Sequence, residues 1–543
     1  MQIINASNWL KWEIGEIEYY SPNSDLIQLI QKNPEFEFWH SYYANFACLI
    51  IDKNTNRIRA IRDHFGLEPF YYQYSSEHLI FASNLPDILK YLKSVKVNYF
   101  QMMNLLLNTI QISSLYSDET NYESIYRIEP GTITQFKNNQ IIKTKFWHLD
   151  INAPEIRYSK SSDYLEHFNE LINESVSYQL SNGQTIAAEF SGGLDSSTVV
   201  TALTKLGINP TLFMHIAPPE SNVVDDMNYA LEVIRTLNLN KIHHIDAKEF
   251  ELIEIMQEIS QCFAGSPNYL FTICANNIHR AVAKHGFNTL FSGFGGDEAA
   301  SSHAPLRPYL AEQLSHKNYQ IAWNELKEYY NQKGNIPPNR IKRFLQLIRF
   351  SQPKLFNLLN SFASIPEAVE HYWQKIPYFT PLKHTTSLRK YEYEFLQGRF
   401  SHHLRMRVED SAIIAKKMGF SYKYPLLYPK LVEFCFRLPL EQKRHLGVNR
   451  LPIRKYLAQH LPPSVYNKHQ KIGAIMPATM NKISTEYMNN KYHDLFKNIP
   501  YKAQLSWIFN KYSQYNSRRF DKEILLYCLG NFIDSQKHLK IFD

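Results

Sequence analysis

Four short apolar runs, TIAAEF (185–190), TLFMHI (211–216), KIHHID (241–246) and NTLFSG (288–293), alternate with stretches of helical periodicity. No other feature constrains the fold as tightly. Runs this short and apolar become strands covered on both faces, and the helices between them return the chain so that successive strands run parallel. The pattern predicts a doubly wound parallel sheet with its ligand at the carboxyl ends of the strands.

At one such end stands Ser191-Gly192-Gly193-Leu194-Asp195-Ser196-Ser197, opening a helix whose apolar positions, Val199, Val200, Leu203 and Leu206, are expected on one face. The glycines let backbone N–H groups approach an anion, and the helix N-terminus adds partial positive charge. The serines add hydroxyl donors. Asp195 would repel a bare phosphate, so its presence argues for a bridging Mg2+. The string lacks the lysine of a P-loop. An ordinary capped Gly-Gly turn accounts for one glycine and one cap. It leaves the second glycine, the aspartate and the other serines unexplained.

The remaining features set outer limits. With 543 residues the chain exceeds one ordinary core, so at least two domains are expected. An apolar fraction of 44% and a charged fraction of 20% are those of a soluble globular protein. No apolar run approaches the ~18–20 residues of a membrane helix, and the N-terminus lacks the pattern of an export signal. Five scattered cysteines show neither metal spacing nor a disulfide framework; a reducing cytoplasm is the expected location. A net charge of +8 is too mild a bias for nucleic-acid binding. The densest basic stretch, Lys443 to Lys471, reads first as a solvated helical face. Residues 40–90 read as an antiparallel meander, and IEPGTITQFKNNQIIKTKFWHL as a strand pair with turns at Pro130-Gly131 and Asn138-Asn139. Residues 300–420 read as mostly helical and basic.

A second loop, Ser292-Gly293-Phe294-Gly295-Gly296-Asp297-Glu298, follows the strand NTLF. Together with it, SGGLDSS resembles the pyrophosphate-binding signature of the N-type ATP pyrophosphatases, and the chain is similar to the asparagine synthetase superfamily. The resemblance implies ATP and pyrophosphate at Ser191, Gly192, Gly193, Leu194, Asp195, Ser196 and Ser197, with Ser292 and Gly293 bordering the nucleotide and Mg2+ held by Asp195 and Asp297. Asp226 matches an acidic residue opening the next helix, although a helix N-cap explains it equally well. NRLPIRKYLAQHLPPSVYNKHQKIGAIMP matches the segment whose lysine reaches the ATP phosphates; here that is Lys471, not Lys468, with Arg454 a second candidate. Glu409 lies near the place where related synthetases put a carboxylate that helps activate the attacking amine.

The first 150 residues resemble the glutaminase domain of the same superfamily, including Arg62-Asp63, Gly66 and Trp147. The organisation implied is an N-terminal αββα sandwich of the Ntn type, residues 1–152, and a parallel-sheet ATP pyrophosphatase domain with helical additions, residues 153–543. An active glutaminase of this type needs cysteine after the initiator methionine, where this sequence has Gln2, and Cys48 reads as a buried apolar residue. The glutaminase is therefore expected to be degenerate. Superfamily members with that defect include lasso-peptide macrolactam synthetases and β-lactam synthetases, which adenylate a carboxyl group for attack by an amine of the same molecule. Pro425-Leu426-Leu427-Tyr428 and Ser421 depart from the family's acceptor segment, which favours a peptide over aspartate. The expected activity is a macrolactam-type ligation, with a leader-peptide-binding protein and a transglutaminase-like protease as companions. A β-lactam-type or ammonia-using ligase stands as the alternative, and a non-catalytic scaffold as the reading from another class.

Overall fold

A computed structural model describes most of residues 2–101, 117–216, 227–246, 252–332 and 387–468, with part of 339–347. Ten strands build the first part of the chain: β1 (Gln2–Asn5), β2 (Leu10–Ile14), β3 (Ile17–Ser21), β4 (Ala47–Asp52), β5 (Arg57–Arg62), β6 (Tyr71–Tyr74), β7 (His78–Ala82), β8 (Ile125–Arg127), β9 (Thr132–Lys137) and β10 (Gln140–Lys145). They form a four-stranded sheet, β1-β7-β6-β8, and a six-stranded sheet, β10-β9-β5-β4-β3-β2. The meander expected over residues 40–90 is divided between them. Alternation explains the division. Leu49, Ile51, Ile58 and Ala60 of the β4–β5 hairpin pack face to face with Phe70, Tyr72, Leu79 and Phe81 around the β6–β7 hairpin, so both hairpins hide their apolar sides in one seam. Cys48 points to the opposite face of β4, among Trp39, Ile50, Ile61 and Trp147. Burial pushes its thiol well above the ordinary range.

The second part holds the parallel sheet. Strands β11 (Ile186–Glu189), β12 (Thr211–Ile216), β13 (Ile242–Asp246), β14 (Thr289–Phe291) and β15 (Ser421–Lys423) run parallel in the order β13-β12-β11-β14-β15. Four of the five are the apolar runs of the sequence. The fifth, β15, is three residues of Ser-Tyr-Lys and has no apolar signature. Helices cover both faces, as apolar strands require. Ser161–Gln179, Leu194–Lys205, Pro429–Phe436 and Leu451–Ala458 share one core with Ala188, Leu212 and Phe291. Phe271–Lys284 and His402–Lys417 lie over the other face with Ala187, Phe213 and Leu290. The helix Leu194–Lys205 is buried over nearly its whole circumference, Ser196 to Leu203 included, so the expected one-sided stripe is a helix enclosed on all sides; Leu206, its C-cap, is the exposed member at 37%.

The two parts share a core. Phe46, Phe146, Trp147 and Leu149 pack in one cluster with Leu404, Val408, Phe420 and Tyr422. No described helix is long and apolar enough to cross a membrane.

Candidate active site

The loop after β11 carries SGGLDSS and the loop after β14 carries Ser292 to Glu298, so adjacent strands deliver both loops to the same edge of the sheet. Close packing explains the glycines. Gly192 has φ +69° and sits against the first turn of the helix Met227–Thr236, where a Cβ would come within 2.6 Å of the Ala230 nitrogen. A Cβ on Gly293 would lie 2.5 Å from the Ser196 nitrogen, so the second loop touches the first only because that position is bare. Gly193 is the N-cap of the helix Leu194–Lys205 and brings no side-chain oxygen to it. That helix end keeps its partial positive charge for a ligand.

Asp195 stands in the first helical turn. Asp297 stands in Gly296–Ala300, one turn wound with backbone bonds from Ala300 N–H to the Gly295 carbonyl and from Ser301 N–H to the Gly296 carbonyl. Such five-residue turns are a local widening of the helix that re-aims side chains. The two carboxylates converge on the guanidinium of Arg450, which pairs with Asp195 and lies 2.6 Å from Asp297. Arg450 is 5% exposed, adopts φ +60°, and also donates to Ser301 Oγ at 3.1 Å. Two acids from different loops meeting at one buried cation form a donor set that suits Mg2+.

The other sequence candidates are placed differently. Arg454 donates to the main-chain carbonyls of Asn449 (2.9 Å), Tyr466 (2.5 Å) and Lys468 (2.8 Å). Its donors fix the backbone leading toward residue 471, while burial and the neighbouring Arg450 lower its pKa to about 10. Lys468 lies over the Tyr229 ring, 4.4 Å from its centroid. Lys471 and Asp226 lie outside the described residues. Glu409 is not at the loops. It is 1% exposed between the two parts of the chain, where it accepts from Arg62 (2.9 Å), Arg127 (2.8 Å) and Tyr71 (2.6 Å). Burial works against its charge, but Arg127 and Arg62 outweigh that and hold its carboxyl at about 2. A carboxylate spent on two guanidiniums is unsuited to accept a proton from an amine, which corrects the role expected for it.

Two further expectations change. Tyr428 does not shape a substrate pocket: its ring meets Tyr43 at 5.1 Å and its hydroxyl donates to Glu174 at 2.8 Å. The basic stretch from Lys443 is not a solvated face among the described residues, since Lys443 meets Glu392 at 2.5 Å and Arg444 meets Glu325 at 2.6 Å, all four buried. Sequence reasoning passed over Arg450, four positions before Arg454 on the same segment, and Glu189, the last residue of β11. Ser292 Oγ (2.6 Å) and the Tyr422 hydroxyl (2.5 Å) both donate to the Glu189 carboxylate.

A family model described as asparagine synthase matches residues 167–534, more than half of the chain and all of the loops above. The chain belongs to the asparagine synthase family. A glutamine amidotransferase domain model matches residues 26–147. Among curated relatives of the family, a probable glutamine-hydrolysing asparagine synthetase of Acanthamoeba polyphaga mimivirus is 28% identical over 53% of this chain and 51% of its own length. Asparagine synthetase 1 of Bacillus subtilis is 21% identical over 86% of this chain and 72% of its own length. A putative asparagine synthetase of Methanocaldococcus jannaschii is 23% identical over 51% and 53% respectively. The chain thus spans about half the length of two of these three relatives.

Proposed function

We propose that this protein is an ATP-dependent carbon–nitrogen ligase that activates a carboxylate as its adenylate, releases pyrophosphate and passes the acyl group to an amine. The observation that carries the reading is the convergence of Asp195 and Asp297 on one cationic point beside the SGGLDSS turn. A carboxylate oxygen attacks the α-phosphorus of ATP and the bond to the β,γ-pair breaks. The helix end at Gly193, with the Ser191 and Ser196 hydroxyls beside it, is suited to take the charge that appears on the leaving pyrophosphate. Magnesium held by Asp195 and Asp297 would neutralise part of that charge. The lone pair of the neutral amine then attacks the acyl carbon, AMP leaves with the electrons of the broken C–O bond, and the proton shed by the nitrogen passes to the departing AMP phosphate or to solvent.

The source of the amine is read as substrate or free ammonia. The single cysteine among the first 150 residues, Cys48, is fully buried and its thiol is pushed up by burial, so it is no nucleophile. Peptide macrolactam formation of the lasso type is the finer reading, supported by the departure of Ser421 from the family's acceptor segment. An asparagine synthetase-like reaction with ammonia fits the same site as well. ATP–pyrophosphate exchange tests both levels. Exchange promoted by some carboxylate supports the ligase; promotion by peptides with an internal Asp or Glu supports the macrolactam, and by aspartate the ammonia-using alternative. A protein that exchanges with no carboxylate is not an adenylating ligase.

A further inference from the structure

Three neighbouring strands end at one small pocket. Glu189 closes β11, Ser292 follows β14, and Tyr422 is the middle residue of β15; Thr272, Ala275, Arg407, Ser411 and Tyr424 complete the lining. Glu189 is partly exposed there, and Phe190 alone separates it from Ser191 of the nucleotide loop. Its carboxylate is held rigidly, with Ser292 on one oxygen at 2.6 Å and Tyr422 on the other at 2.5 Å. A buried residue braces Tyr422 in turn: His279 Nε2 lies 2.6 Å from the phenol oxygen and the ring is 0% exposed. The proton count fixes the direction of this chain. Tyr422 has one hydroxyl proton and gives it to Glu189, so His279 must donate from Nε2. Burial keeps that imidazole neutral, with its pKa lowered to about 3. Burial, with Glu189 beside it, holds the Tyr422 phenol well above its ordinary range, so it remains a donor.

The outcome is a carboxylate oriented by two donors, with no ion-pair partner among the described residues. The guanidinium lining the same pocket, that of Arg407, lies over the Phe294 ring at 4.1 Å from its centroid and interacts electrostatically with Glu298 and with Tyr422 and Tyr424. A fixed anion of this kind, in a small pocket next to the SGGLDSS loop, complements a compact cation with several donors. We infer that Glu189 binds the primary ammonium group of the acceptor amine and orients it beside the SGGLDSS turn, the amine attacking after it gives up its extra proton to solvent. This rests on the ligase reading above and adds the identity of the group that recognises the nucleophile.

The test uses the full chain with ATP, magnesium and a carboxylate that supports pyrophosphate exchange, and compares ammonium chloride with hydroxylamine, an amine that is uncharged at neutral pH. In Glu189→Gln, exchange should stay within about twofold of wild type and hydroxamate formation within about threefold, while the KM for ammonium rises about tenfold or more. Tyr422→Phe should move the ammonium KM in the same direction by about threefold. The inference is overturned if exchange falls as far as amide formation, which would assign Glu189 to the nucleotide or the acid. It is equally overturned if ammonium and hydroxylamine suffer alike, or if neither changes. Should wild type exchange with no carboxylate, the ligase reading fails by itself, and calorimetric titration with ethylammonium decides the pocket. Heat present in wild type and lost in Glu189→Gln upholds the ammonium site; equal heat in both, or none in either, sinks it.

Discussion

Single side chains carry the site, and they differ in how plainly the sequence announces them. Asp195 and Asp297 are legible because each sits in a glycine-rich loop where a carboxylate has no packing reason to be. Glu189 is not, since it ends an apolar run and reads as the polar edge of a strand. Arg450 is hidden for another reason: its importance comes from a left-handed backbone conformation and from two acids that lie 255 and 153 residues earlier in the chain. Asp195→Asn and Asp297→Asn should each lower pyrophosphate exchange at least about 100-fold with little change in thermal stability, measured by exchange assay and calorimetry. Arg450→Met should destabilise by about 3–5 kcal/mol, because it leaves two crowded carboxylates without their counter-charge. Added Mg2+ should raise the melting temperature of that variant more than that of wild type; an equal rise would show that the acids do not share a cation.

Elements bring those side chains together. The apolar strands β11 to β14 are readable because burial on both faces leaves a continuous hydrophobic run. Strand β15 is not readable, because its three residues owe their pairing to β14 and to the helices around it rather than to their own composition. Contact between the two loops depends on Gly293. Gly293→Ala would press a methyl group to within 2.5 Å of the Ser196 nitrogen and separate them. Exchange should fall by at least about tenfold, since misplacement on the ångström scale is costly to a reaction that depends on positioning, while circular dichroism stays that of wild type. Unchanged exchange would mean that the loops need not touch.

Across the whole molecule, the first 150 residues and the parallel-sheet part meet through ion pairs as well as through the shared core. Sequence patterns revealed two textures of chain but not the partners across them, because Glu409 finds Arg62 and Arg127 from 347 and 282 positions away. Resemblance placed Glu409 near the chemistry; three buried donors place it in the joint. The pH dependence follows with a definite sign. Glu409 has a folded-state value of about 2 against an ordinary 4.5, so its contribution is complete above the ordinary range and is lost as pH falls from there toward 2. Glu409→Gln should cost about 3–5 kcal/mol at neutral pH, by leaving two guanidiniums uncompensated, and should flatten the acid limb of the stability curve. Denaturant melts between pH 2 and 5 check both effects.

Strand β15 borders the sheet, and its neighbour β14 satisfies only the inward-facing main-chain groups. The carbonyl of Tyr422 faces the other way and accepts the side-chain amide of Asn45, at 3.2 Å, from the opposite part of the chain. A bare border strand recruits strands from other molecules, and this amide occupies one of the groups that such pairing would use. Asn45→Ala should therefore be recognised first by a growing light-scattering signal on concentration, before any loss of turnover, and a variant that stays monodisperse would show that the border is guarded elsewhere.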